Sequence, residues 1–236
     1  TQPYDPGYFL VVTAEWNTAR LEDFIPFIPE VYVRLTERIN ETFWPLHLVG
    51  LLLGLGWTMF PGLRGSRWTG VPWAIVWVWV GTVYHLQHYT NLHWAGTILA
   101  AGFYLQALLM LLLTSPSGAR TLRLSDFRPG QWAGMVLFVA GMLLTPVLSA
   151  VTGSGPAQAE VFGMHPDPTA MATLGFLLVM QRGGRLISTA IVPLMCCLFG
   201  GLTLLGLDLA RAFLPLAAAG IGLTGLTASC LAEKSS

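Results

Sequence analysis

The sequence predicts an all-α membrane protein, with about seven transmembrane helices preceded by an interfacial amphipathic helix. Three observations carry that prediction. Apolar residues make up 54 % of the 236-residue chain and charged residues only 10 %, against roughly a quarter charged in a typical soluble domain. The charges are also unevenly spread, since seven of the twelve acidic residues precede Phe43. The remainder is a succession of long apolar stretches, which leaves too little polar surface to cover a water-exposed globule.

Residues 1–25 are of mixed composition and read as an extramembrane arm, expected to pack against a surface such as another subunit. The polar N-terminus, with Pro3 and Pro6, does not read as a signal peptide. Residues 26–41 follow as the amphipathic helix. Pro29 suits a first helical turn and Glu30 the positive end of the helix dipole. Val31, Leu35 and Ile39 form one stripe, with Arg34, Glu37, Arg38 and Glu41 largely off it, the pattern of a helix lying in the headgroup plane.

The transmembrane domain, residues 42–236, contains seven apolar segments: Thr42–Phe60, Val71–Tyr89, Trp94–Thr114, Gln131–Val151, Thr169–Met180, Leu186–Leu207 and Leu209–Leu231. The fifth is short of the ~20 residues needed to cross hydrocarbon. It is read as extended N-terminally, buried among its neighbours, or re-entrant. If all seven cross, Arg64, Arg67, Arg120, Arg123, Arg128, Arg182, Arg185 and Lys234 fall on one side and only Arg211 on the other. The positive-inside rule then places the N-terminus outside, in the periplasm, and the C-terminus in the cytoplasm. Trp44, Trp68, Trp94 and Trp132 stand near segment ends, where interfacial aromatics belong.

The balanced charge, with no Lys/Arg run, excludes a nucleic-acid-binding tail. Cys196, Cys197 and Cys230 lie in apolar segments and imply no disulfide framework. No Ser/His/Asp, phosphate-loop or nucleotide-binding pattern occurs, so the chain is not expected to be an enzyme. The spans carry essentially no deep charge and no internal repeat, which disfavours a pump or an ion-coupled carrier. Gly50, Gly54, Gly56, Gly200, Gly201, Gly220, Gly222 and Gly225 offer small faces for close helix contact.

The histidines are the residues with ligand chemistry. His85, His88 and His93 crowd the outer end of segments two and three; His165 and Asp167 lie in the outer loop, and His47 near the outer end of segment one. His85 and His88, three apart, are expected to share a helix face, which permits two ligands to one metal. The candidate metal ligands are therefore His85, His88, His93, His165 and Asp167. Neutral imidazole also binds haem iron or a chlorophyll-type pigment, for which His85, His88 and His47 are the candidates. The competing reading is that these rings simply pack and hydrogen-bond at an interface.

Two groups of residues resemble a known family. Pro26-Phe27-Ile28-Pro29-Glu30-Val31-Tyr32, with Asn40-Glu41 and Trp44-Pro45, resembles the opening of a bacterial membrane family catalogued as domain of unknown function six-zero-six-four. The likeness continues at Trp79-Val80-Gly81 and Tyr84-His85. It returns at Phe162-Gly163, Pro166, Pro168-Thr169 and Thr173-Leu174-Gly175-Phe176-Leu177-Leu178. It covers Pro26 to the C-terminus and implies a multi-spanning bacterial inner-membrane protein, with no established activity or ligand. The family typically has a cysteine between the two loop prolines, where this chain has Asp167. Pro166 and Pro168 stiffen the approach to segment five, and Thr169 is placed to cap it.

The expected function is that of a non-catalytic accessory subunit, held among other integral membrane subunits and bound lipids in a larger complex of the photosynthetic or respiratory kind. The alternatives are a protein holding metal, haem or pigment through its outer histidines, and a small-solute transporter or channel.

Overall fold

A computed structural model of the chain describes residues 20–59, 69–114, 127–151 and 155–234. Most of the N-terminal arm, Trp68 and the loop arginines Arg64, Arg67, Arg120 and Arg123 lie outside the described residues. Among the described residues every regular element is helical. We number the helices α1 (Pro29–Thr42), α2 (Leu46–Met59), α3 (Gly70–Val80), α4 (Gly96–Leu113), α5 (Pro129–Val139), α6 (Pro166–Met180), α7 (Gly183–Gly206) and α8 (Phe213–Lys234). α3 runs on through a π-helical stretch, Gly81–His88, and α5 through another, Ala140–Leu144, into a last α-helical piece, Thr145–Val151.

Each of the seven apolar segments falls on a helix, and among the described residues four stretches are both long and apolar enough to cross a membrane: Gly96–Leu113, Pro129–Leu148, Gly183–Gly206 and Ala210–Ala232. The described part of α2, 14 residues, covers roughly 21 Å at 1.5 Å per residue. The outward faces are apolar, with Leu52, Ile75, Ile98, Leu112, Val136 and Ile191 exposed. Trp44, Trp94 and Trp132 are exposed as well.

α6 is the axis of the protein. It is apolar on every side, and such a helix is stable only when surrounded. Twelve consecutive residues, Asp167 to Leu178, are buried. Of the three readings open for the fifth segment, N-terminal extension and burial among its neighbours both describe it, since it starts at Pro166 and is enclosed by α5, α7 and α8. Glycine sets its distance from α5. A Cβ on Gly175 would meet the backbone of Gly134 and Phe138, and one on Gly134 would lie 2.7 Å from the Gly175 carbonyl oxygen. The two helices thus cross backbone to backbone. The small faces named from the sequence are partly elsewhere, because Gly56 and Gly220 border open space.

α3 packs on α6 through Trp77, which is fully buried and donates its indole N–H to the Thr173 hydroxyl at 2.9 Å. α1 buries Tyr32, Leu35, Thr36, Ile39 and Asn40. That face is rotated from the expected stripe: Val31 lies at its margin, and polar groups occupy its middle. They bond the segment ahead of α6, where Asn40 donates to the carbonyls of Ala157 (2.7 Å) and Ala159 (2.8 Å). At the far end of α6, Gln181 donates to the Thr114 hydroxyl and accepts from Thr189, tying α4, α6 and α7 together.

Candidate functional site

The turn into α6 is built to hold a carboxylate inside the protein. Gly163 takes φ +78°, a left-handed conformation that glycine adopts without strain. Its N–H donates to the Thr169 hydroxyl at 2.9 Å, and that hydroxyl donates to the His165 carbonyl at 2.7 Å. Thr169 therefore braces the turn from within the first helical turns instead of capping the helix as expected. The residue preceding the helix is His165, with Pro166 in the first turn. His165 Nδ1 accepts the Val161 N–H at 3.1 Å, which puts the ring proton on Nε2. Burial, helped by His47 and Arg211, lowers the His165 pKa to about 3, so the ring is neutral. Two residues on, Asp167 points inward.

Two further charged residues meet Asp167. Glu160 is delivered by the segment before the turn, and Arg211 by a 3-10 turn, Ala210–Ala212, between α7 and α8. That connection is tight because Asp208 takes φ +54° and Leu209 N–H returns to the Leu204 carbonyl at 3.0 Å. Arg211 Nη2 stands 3.5 Å from Glu160 Oε1 as an ion pair, and Nη1 donates to the Gln158 carbonyl at 3.4 Å. Tyr32 donates its hydroxyl to Glu160 Oε1 at 3.0 Å, and the guanidinium lies 5.5 Å from the centre of the Tyr32 ring. Burial, then the Glu160 charge, holds the Tyr32 phenol well above its usual pKa.

Glu160 and Asp167 are each only 4 % exposed. Among the described residues Asp167 Oδ2 has no hydrogen-bond partner. Burial, reinforced by Glu160 and opposed by Arg211, pushes this carboxyl well above the ordinary carboxylate range. The opposing wall is Gly200 of α7, where a Cβ would come within 2.6 Å of the Asp167 Cγ. Only glycine leaves room there for the carboxylate.

Asp167 lines two cavities. The larger has a volume of about 280 Å³ and is bounded by Gln158, Glu160, Asp167 and Arg211, with walls of Val33, Met171, Leu204 and Leu214. The smaller, about 30 Å³, lies on the other side against Tyr84, His85, Cys196 and Gly200.

The histidines do not converge. His88 donates Nδ1–H to the Val83 carbonyl at 2.7 Å and packs on Phe43. His93 donates to the Phe24 carbonyl at 3.3 Å and accepts from Ala95 N–H at 2.9 Å. His47 donates to Asn40 Oδ1 at 2.9 Å. His85 is buried among Tyr84, Tyr89 and Phe103, with neither ring nitrogen paired. The shared face expected of His85 and His88 is lost because this stretch is π-helical, with a wider turn than the α-helix assumed from spacing. Among the described residues no three His, Cys, Asp or Glu side chains gather as a metal site, so His85, His88, His93, His165 and Asp167 are not brought together as one. Instead Glu160 and Arg211, read from the sequence only as loop charges, complete the cluster. Their one signal was that Arg211 is the sole basic residue among the loops of the acidic side.

The model of the Family of unknown function (DUF6064) matches residues 29–232. The chain belongs to this family. None of the curated proteins and none of the solved structures matches it. The family match spans the whole cluster, from Tyr32 through Glu160 and Asp167 to Arg211. It begins at α1, so residues 1–28, including Pro26-Phe27-Ile28 of the resemblance, lie outside the match.

Proposed function

We propose that this chain is a non-catalytic, multi-spanning inner-membrane protein that binds a small polar solute in the cavity bounded by Glu160, Asp167 and Arg211. The observation that carries the proposal is a 280 Å³ chamber, apolar over most of its wall, on which three charged side chains converge. Ligand sites have this composition, with apolar surface for contact and a few polar groups for orientation. Ionisable groups among apolar helices are costly to keep and mark substrate sites or paths. The size suits a solute of fewer than about a dozen heavy atoms, being just below the ~300–1,000 Å³ range of drug-sized ligand sites.

In this reading all seven apolar segments cross the bilayer. The one-sided distribution of arginine then puts the cluster on the outer side and the C-terminus in the cytoplasm. α1 lies in the outer headgroup plane as a roof over the cavity, held by Tyr32 on Glu160 and by Glu37, which accepts from Gln158 Nε2 at 2.6 Å. Whether the chain also serves as an accessory subunit of a larger assembly is a separate proposal. The exposed apolar side chains suit lipid and partner subunits equally and favour neither.

The test is a thermal-unfolding screen of the purified protein against small ammonium, zwitterionic and neutral solutes. A solute at a hundred times its Kd stabilises the folded state by about 2.7 kcal/mol. At least one class is expected to raise Tm in the wild type and not in Val33→Trp, whose indole fills the cavity while sparing every charged group. Identical responses of the two proteins to every class would contradict the proposal.

A further inference from the structure

We propose that the solute is a small singly charged organic ammonium ion, and that it binds by displacing a proton from Asp167. This rests on the reading of the larger cavity as a solute site and specifies the chemistry of that site.

The argument begins with charge. Glu160 and Arg211 form an ion pair, and their charges cancel. Asp167 is the third charged group of the cavity and has no counter-ion of its own. A carboxylate this deeply enclosed cannot keep an uncompensated charge at tolerable cost, and it escapes that cost by holding a proton or a cation. Its Oδ2 has no hydrogen-bond partner among the described residues. Other groups near it are Tyr32 of α1, Tyr84, His85 and Tyr89 at the end of α3, and Cys196 and Cys197 of α7. None of these supplies a fixed positive charge. The countercharge must therefore enter with the solute.

Geometry narrows the cation further. A divalent metal is disfavoured because no third carboxylate, thiol or imidazole joins Asp167 at ligand spacing among the described residues. An ammonium group needs only acceptor oxygens, and Glu160 and Asp167 both face the chamber. The apolar wall formed by Val33, Met171, Leu204 and Leu214 suits a short alkyl chain. A zwitterion carries no net charge and would leave an ionised Asp167 uncompensated. The balance is simple: the O–H bond of the Asp167 carboxyl breaks, its proton passes to water, and the ammonium ion takes its place as the counter-ion. Net charge in the cavity is zero in both states.

The experiment is isothermal titration of the full-length protein in uncharged detergent with n-butylammonium, 4-aminobutanoate and butyramide. Each is run at pH 5, 6 and 7, in two buffers of different ionisation enthalpy so that protons are counted. The expected result is binding of n-butylammonium with release of close to one proton. Its Kd should tighten about tenfold per pH unit while the free carboxyl remains protonated. Asp167→Asn, which keeps the shape and cannot ionise, should weaken binding at least tenfold and remove the pH dependence; Glu160→Gln, which frees the Arg211 charge to serve as the counter-ion of Asp167, should reduce the proton release. Binding of n-butylammonium without proton release overturns the exchange. Binding of butyramide or 4-aminobutanoate in its place overturns the choice of cation while sustaining the solute site. Binding of none of the three overturns the ammonium proposal, and the Val33→Trp screen then decides the fate of the cavity reading separately.

Discussion

Gly175→Ala is expected to destabilise the protein by about 3 kcal/mol, and Gly175→Leu to prevent folding. Overpacking a filled core costs ~1–3 kcal/mol when side chains can yield. Here the obstacle is backbone, because a Cβ on Gly175 would press on the Gly134 carbonyl and the Phe138 amide. Relief requires α5 and α6 to move apart, and α6 is buried over twelve consecutive residues, so the whole packing follows. Thermal unfolding in detergent, followed by tryptophan fluorescence, measures the effect. Gly220→Ala is the control. It adds the same methyl to a helix with nothing within 4 Å, and it should be neutral or slightly stabilising, since alanine is the better helix former. Equal changes in the two variants would show that the close approach of α5 and α6 does not govern this site.

Asp167→Asn is expected to stabilise the ligand-free protein, and increasingly so as pH rises. Asp167 has a folded-state pKa raised well above its unfolded value. Such a group contributes its full stability below the unfolded pKa of ~3.9. That contribution is lost at up to about 1.4 kcal/mol per pH unit as the pH climbs toward the folded pKa, because the unfolded chain ionises first. Asparagine cannot ionise, so its curve lacks this slope. The Tm difference between wild type and Asp167→Asn, measured from pH 4.5 to 7.5, should widen steadily in favour of the variant. A difference that is flat with pH, or that favours the wild type at pH 7.5, would show that Asp167 ionises freely in the folded state.

The helical class and the positions of the apolar segments were legible in the sequence because they depend on local hydrophobicity. The exposed ends marked by Trp44, Trp94 and Trp132 were legible for the same reason. The loop ahead of α6 was partly legible: two prolines and Thr169 announced a stiff turn, but the bonds from Gly163 to Thr169 to His165 needed coordinates. The decisive glycine contact was not legible. Gly134 and Gly175 lie far apart in sequence and nothing local pairs them, whereas the glycine clusters that attract notice include Gly56 and Gly220, where an added Cβ would meet nothing within 4 Å among the described residues.

The site shows the same division between local and tertiary information. His85, His88 and His93 are conspicuous by proximity, yet two of them are occupied with nearby backbone and the third is enclosed by aromatic rings. Glu160, Asp167 and Arg211 come from two separate connections and meet only when α7 and α8 close against α6. A pairing across that distance leaves no periodic trace. Only the lone basic residue on the acidic side hinted at it.

The central claim, that the chamber beside Asp167 is a solute site open to the outer face, is tested most directly by cysteine accessibility. Ala210→Cys places a thiol on the cavity wall, in a chain whose Cys196, Cys197 and Cys230 are replaced by alanine and which is reconstituted in oriented vesicles. The account predicts that a membrane-impermeant methanethiosulfonate reagent modifies it from the outer face, and that saturating n-butylammonium slows the reaction several-fold. Modification from the cytoplasmic face alone, or no modification from the outer face, would contradict it; a rate indifferent to n-butylammonium would contradict the choice of cation.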